Sequence, residues 1–218
     1  MIIVMLGAQG SGKGTVGTKL SEELELVYIS TGEMFREHIK NNTELGKEAN
    51  EYILAGNLVP DDLTIKMLSD RVSKEDVLLK GALIDGYPRT EEQCKKLDEM
   101  LEKLDRKVDL AINLSVDYDE LIRRITNRRL CKNCRVVYNI EYNPPKVEGV
   151  CDKCGGEVVQ RADDTEEAVK QRLDIYYANE KAVLDYYKSK NKLRIEKAGD
   201  KIGRTSKDVA ADLVKELK

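Results

Sequence analysis

The sequence has one histidine, one phenylalanine and no tryptophan, and its formal net charge is −3. It also lacks any apolar run of the roughly 20 residues that a membrane helix requires. The opening run Met1-Ile2-Ile3-Val4-Met5-Leu6 is too short for a signal-peptide core and has no basic leader, so a cytosolic chain without a membrane partner is expected. Without a basic excess, general nucleic-acid binding is disfavoured. The single histidine, His38, lies among polar and charged neighbours and reads as a surface group, which leaves no obvious general base. There is no internal repeat and no low-complexity tail.

What is present is a chain of 218 residues, long enough to bury a sizeable core without covalent staples, with 41% hydrophobic and 35% charged residues. Four of its five cysteines form two Cys-x-x-Cys pairs. In a reducing compartment such pairs point to a metal rather than to disulfides.

Ile2–Leu6 is continuously apolar, as a strand buried on both faces should be, and it runs into the glycine-rich stretch Gly7 to Gly14. A helix with apolar Val16, Leu20 and Leu24 follows. Further strands are predicted at Leu26–Ser30, Ala82–Asp85, Leu110–Leu114 and Leu193–Glu196. Helices are predicted at Glu91–Leu104, Tyr118–Thr126, Thr165–Lys188 and Ser206–Leu217. This alternation predicts an α/β fold, a five-stranded parallel sheet with helices on both faces. Two stretches interrupt it. Residues 30–59 read as a helical insert ending at Pro60. Residues 127–164, with both cysteine pairs, Pro144-Pro145 and Gly155-Gly156, read as an antiparallel excursion. The core is then 1–29, 60–126 and 165–218.

Gly7-Ala8-Gln9-Gly10-Ser11-Gly12-Lys13 fits G-x-x-x-x-G-K between a strand and a helix, the P-loop pattern. Its glycines let backbone N–H groups turn in on a phosphate, the helix N-terminus adds a favourable dipole, and Lys13 adds a point charge. Gly14 follows the lysine, with Thr15 one place later, so the hydroxyl that holds magnesium in GTPases is missing. Magnesium should then be held by nucleotide phosphates, water and a carboxylate elsewhere. The run Gly-Lys-Gly-Thr resembles the nucleoside-monophosphate kinases.

Three further runs carry a closer resemblance: Ser30-Thr31-Gly32-Glu33-Met34-Phe35-Arg36, Gly56-Asn57-Leu58-Val59-Pro60-Asp61, and Asp85-Gly86-Tyr87-Pro88-Arg89-Thr90 with Gln93. Together with the P-loop they resemble the adenylate kinases over nearly the whole chain. The resemblance implies reversible phosphoryl transfer from Mg-ATP to AMP, giving two ADP, by a monomer. It places ATP on Gly10, Ser11, Gly12, Lys13, Gly14, Thr15, Arg124 and Arg128. It places AMP on Thr31, Arg36, Asn57, Leu58, Val59, Gly86, Tyr87, Pro88, Arg89, Gln93, Arg161 and Arg172, and gives the waters of magnesium to Asp85. Lys13, Arg89, Arg128, Arg161 and Arg172 would be the catalytic cations. The chemistry is coherent: arginine forks suit phosphates, and the Gln93 amide suits an adenine edge. An acceptor phosphate is already deprotonated near neutral pH, so no base is required. Val137 and Tyr138 are expected against the adenine of ATP, and Asp164 is expected to cap the long helix.

Cys131 and Cys134 are separated from Cys151 and Cys154 by residues 135–150, a spacing that fits a four-cysteine structural zinc site. Gly155 follows the second pair, where a positive φ is often needed, whereas Arg135 follows the first. Cys94 has no partner in either pair and reads as a small buried hydrophobe. Two rivals remain: a kinase for UMP or CMP, and a P-loop switch protein that hydrolyses nucleotide slowly.

Overall fold

A computed structural model describes all residues, Met1–Lys218. The chain opens with β1 (Ile2–Leu6), α1 (Lys13–Glu23) and β2 (Val27–Ser30). Four helices follow: α2 (Thr31–Lys40), α3 (Glu44–Leu54), α4 (Asp61–Val72) and α5 (Glu75–Lys80). Next come β3 (Ala82–Asp85), α6 (Glu91–Glu102), β4 (Leu110–Ser115) and α7 (Tyr118–Thr126). The short strands β5 (Arg128–Cys131), β6 (Val137–Asn139) and β7 (Val158–Val159) precede α8 (Glu166–Ser189), β8 (Leu193–Lys197) and α9 (Ser206–Leu217).

The main sheet has five parallel strands in the order β2-β3-β1-β4-β8. Because side chains alternate across a strand, β1 feeds both faces. Ile2, Val4 and Leu6 join Ile84, Leu97, Leu101 and Val183 on one side. Ile3 and Met5 join Leu83, Val16, Leu20 and Leu213 on the other. Helices α6 and α8 therefore cover one face, and α1 and α9 the other. Cys94 lies in the first of these layers, fully buried, as expected of a lone apolar thiol.

The two interruptions have the expected character. Helices α2 and α3 fold on each other over Phe35 and Ala49, with Val59 and Met67 completing a small core. Residues 127–164 carry the antiparallel sheet β6-β5-β7. One expectation needs correction. Asp164 does not cap α8: the cap is Thr165, whose side chain accepts from the N–H of Ala168, and Asp164 is buried against Arg128. The carboxylate gains more from a guanidinium than from a helix end that the next hydroxyl already satisfies. His38 is only half-buried, and its Nδ1 meets Thr43 Oγ1 at 3.0 Å across the α2–α3 turn.

Candidate active site

Strands β1 and β3 are in register, Met5 beside Asp85, so the loops that follow them start at the same edge of the sheet. In open parallel sheets, ligands bind at that edge. Here it opens into a cavity of about 1140 Å³ bounded by the P-loop, α2, the loop 86–89, the antiparallel segment 127–164 (below, the lid) and α8.

The P-loop glycine Gly12 is the N-cap of α1 at φ +96, and an added Cβ would stand 2.0 Å from Ser206 Oγ, so only glycine fits. Lys13 begins the helix, and its Nζ donates to the carbonyls of Gly7 at 2.7 Å and Ala8 at 2.9 Å. Loss of water in this cradle lowers the ammonium pKa to about 8. Arg89 and Arg128 push the same way, and only Asp85 opposes them. A cation held in this way gains most from an arriving anion.

Asp85 ends β3 and its Oδ2 accepts from the Tyr28 hydroxyl at 2.7 Å. Gly86 then turns at φ +89 under Thr31, whose Oγ1 would lie 2.7 Å from an added Cβ. After the cis Tyr87–Pro88 bond, Arg89 donates from Nε to Gly86 O at 2.8 Å, which leaves its remaining donors toward the cavity. Gln93 is placed beside it but is already engaged: Oε1 accepts from Arg89 N at 2.7 Å and Nε2 donates to Asp61 Oδ1 at 2.6 Å.

Three more arginines enter from different segments. Arg36 comes from α2, Arg128 from β5, and Arg161 from the lid exit. Dehydration, with Arg128 and Arg36 nearby, lowers the Arg161 pKa to about 9. The Nε atoms of Arg36 and Arg161 are buried without a hydrogen-bond partner. Arg172, on α8, donates to Ile53 O at 2.6 Å and pairs with Asp163 at 2.9 Å. It thereby ties the helical insert and the lid exit to the core. Burial works against the charge of Asp163, yet the arginines around it, Arg172 foremost, keep its carboxyl below the usual range. Arg124 is held by the buried Glu120.

Every sequence-predicted nucleotide residue lines this one cavity except Ser11, which is fully buried beneath the loop. Tyr138 reaches the lining, but its hydroxyl serves the lid interior: it lies 3.3 Å from Cys151 Sγ and accepts from Asp152 N at 2.8 Å. Val137 beside it is half exposed. Sequence reasoning missed Gln9, Tyr28 and Glu33, and the ion-pairing roles of Asp163 and Asp164. Each touches an arginine or Asp85, and all but Asp164 also line the cavity. The only signal available for Gln9 was its place inside the P-loop.

The four sulfurs of Cys131, Cys134, Cys151 and Cys154 lie within 4.8 Å of one another, with Cys131–Cys154 and Cys134–Cys151 each at 3.5 Å. A disulfide would need about 2.05 Å. Four thiolates about 2.3 Å from a tetrahedral ion lie roughly 3.8 Å apart, close to this arrangement. The Tyr138 hydroxyl lowers the Cys151 pKa to about 6, aided by the N–H groups of Lys153 and Cys154, which favours the thiolate that a metal requires. The donor set fits zinc. An ion held by all four would have no open ligand position, as in structural rather than catalytic sites.

A phosphate loop, a ring of cations and a flap with a four-cysteine cluster fit to hold a metal, all on a parallel sheet, define a P-loop phosphotransferase. A sequence model described as adenylate kinase matches residues 5–192. The adenylate kinase of Caldicellulosiruptor bescii is 46% identical over 209 residues, covering 96% of this chain and 97% of that protein. The adenylate kinase of Methanocella arvoryzae is 47% identical over 216 residues, covering 99% of each chain. The adenylate kinase of Thermosipho melanesiensis is 49% identical over 193 residues, covering 88% of this chain and 90% of its own. The chain belongs to the adenylate kinase family: it is an ATP-binding transferase that moves a phosphoryl group to a nucleoside monophosphate. No helix is long and apolar enough to cross a membrane.

Proposed function

We propose that the enzyme transfers the terminal phosphoryl group of Mg-ATP to AMP, reversibly, giving two ADP. The observation that carries this reading is the convergence of Lys13, Arg36, Arg89, Arg128, Arg161 and Arg172 on one cavity. Six cations are more than one triphosphate needs, and they match two phosphate chains meeting end to end. A division of labour compatible with their positions is proposed with it. Lys13 and the P-loop N–H groups hold the donor's phosphates, with Arg124 and Arg128 over them. Arg36 and Arg89 hold the acceptor's phosphate, and Arg161 and Arg172 bridge the two chains. An oxygen of the AMP phosphate attacks the terminal phosphorus in line, and the bond from that phosphorus to the bridging oxygen of ADP breaks. The negative charge on the transferring group meets cations already in place, so little reorganisation is required. Magnesium, when bound, neutralises donor phosphate charge. Asp85 would hold its waters, and Tyr28 orients that carboxylate.

The base contacts are part of the same proposal. Thr31, the stretch Asn57–Val59, Gly86–Pro88 and Gln93 would receive the adenine and ribose of AMP. Gln93 would exchange its bond with Asp61 for one with the base. Val137 and the Tyr138 backbone would border the donor adenine. The domain division is proposed likewise: residues 30–59 form the acceptor insert, 127–164 the zinc lid, and the rest the core. Cysteine pairs arranged for a metal rather than for disulfides suit a cytosolic enzyme, and a monomer is proposed from the family resemblance. The test is a coupled ADP assay with ATP and AMP, CMP, UMP or no acceptor. AMP should be preferred by at least tenfold. Equal ATP loss with and without acceptor would replace this reading with slow hydrolysis by a switch protein, and preference for a pyrimidine would move the acceptor assignment.

A further inference from the structure

The first cysteine knuckle ends on a residue that does not suit its place. Arg135 has φ +62, in the left-handed region, while the equivalent turn after the second knuckle uses Gly155 at φ +68. An L-residue there costs conformational energy that glycine avoids. The side chain has a definite destination. Its Nε and Nη2 donate to Glu33 Oε2 at 3.4 and 3.3 Å, across to α2. The same carboxylate takes Arg36 Nη2 at 2.5 Å and Arg161 Nη2 at 3.5 Å on its other oxygen. Every hydrogen bond and ion pair between residues 127–164 and residues 31–59 ends on Glu33. The lid's opposite side rests on the core instead, with Tyr142 donating to Asp200 at 3.0 Å and Glu141 paired with Arg123 at 3.4 Å.

We propose that Arg135 is a positioning residue that fastens the lid to the acceptor insert through Glu33, and that it keeps Glu33 when the acceptor's phosphate claims Arg36 and Arg161. The second half rests on the proposed placing of AMP between those two arginines. Glu33 then acts as a stand-in anion. While the acceptor is absent its carboxylate keeps Arg36 and Arg161 from repelling each other. Once a phosphate takes them, the carboxylate would be left with two fewer partners, and Arg135 is the cation that remains. The bridge exists only when lid and insert meet. It therefore biases the closed arrangement even though Arg135 and Glu33 are 38% and 40% exposed, an exposure at which an ion pair adds little to overall stability. An interaction made in one state alone shifts a population by its full worth.

The experiment compares wild type with Arg135→Gly and Arg135→Lys, each also in a Glu33→Gln background. Single-molecule energy transfer between dyes on lid and core reads the open fraction without nucleotide, and steady-state kinetics read KM for AMP and kcat separately. Glycine suits the backbone at this turn, so zinc content and melting of Arg135→Gly should hold. Its open-to-closed ratio and its KM for AMP should rise by about two- to fivefold, the range of an exposed ion pair. Its kcat should not fall. Arg135→Lys, which keeps the charge, should lie nearer to wild type, and 0.5 M salt should remove the differences. In the Glu33→Gln background, Arg135→Gly should have no further effect. An unchanged open fraction, or an effect that persists without the Glu33 carboxylate, would overturn the bridge. Failure of the wild type to phosphorylate AMP would end the acceptor reading and the exchange of partners with it, while the nucleotide-free measurement would still decide the bridge.

Discussion

Asp164→Asn is the substitution for which the structure supplies the clearest magnitude. The Asp164 side chain is fully buried, and its two oxygens take Arg128 Nη2 at 2.5 Å and Nε at 2.8 Å. Gln9 Nε2 adds a third bond at 3.2 Å, so one carboxylate joins the first strand of the lid, the lid exit and the P-loop. Asparagine keeps the shape, removes the charge, and turns an N–H₂ group toward a guanidinium that can only donate. Breaking a buried ion pair on one side costs about 3–5 kcal/mol. Arg128 is 14% exposed and borders the cavity, so water and anions recover part of that loss. A loss of about 2–4 kcal/mol is therefore expected, and at about 2–4 °C per kcal/mol for a chain of this size the melting point falls by roughly 4–16 °C. The assay is urea unfolding of Asp164→Asn, Arg128→Met and the double variant, with KM for ATP measured at low temperature. The double variant leaves no unpaired charge, so its loss should fall short of the sum of the singles by more than about 1 kcal/mol. KM for ATP should rise in Asp164→Asn, because Arg128 is no longer aimed. Additive losses within about 0.5 kcal/mol would refute the argument.

Two further expectations concern Lys13 and the lid metal. With the Lys13 pKa near 8 in the free enzyme, the ammonium is already charged below that pH; above it, ATP binding must recruit a proton, since the phosphates raise the bound-state pKa. Affinity for ATP should thus be greatest below pH 8 and weaken as pH rises. Titration calorimetry at pH 8.5–9 in buffers of different ionisation heat should show proton uptake, which Lys13→Met should abolish while lowering kcat at least tenfold; no uptake in wild type would contradict the dehydrated cradle. Cys151→Ser removes one of four thiolates from a lid whose buried cluster is only Cys131, Tyr138, Cys151 and Val158. Zinc content should fall well below one per chain and the lid should melt first, because metal binding is part of the folding free energy of such a segment. Activity at low temperature should survive in part, since Lys13, Arg36 and Arg89 lie outside residues 127–164; unchanged zinc content would remove Cys151 from the ligand set.

Much of this was legible before any coordinates. The apolar run of β1 followed by Gly7 to Lys13 determined a strand, a phosphate loop and a helix, because only glycines permit those backbone angles next to a buried strand. The strand and helix alternation determined the parallel sheet. The two Cys-x-x-Cys pairs pointed to the four-cysteine cluster, because each short spacing can bring two sulfurs to one ion whatever surrounds them. These are local constraints, written in neighbouring residues. Pairings between distant residues were not legible. Asp164 and Thr165 are both competent helix caps in sequence, and only the arrival of Arg128 from β5 decides that Asp164 is an ion-pair partner and Thr165 the cap. Tyr138 lines the cavity, but nothing in the sequence tells that its hydroxyl lies beside Cys151. Glu33 and Arg135 lie 102 positions apart, and nothing near either residue announces the other. Local backbone geometry and metal spacing act over a few residues, so the sequence alone determines them. Charge pairing acts through space, and for Glu33, Arg128, Arg135 and Asp164 the partners were chosen only when the sheet brought their loops to one edge and the lid folded over it.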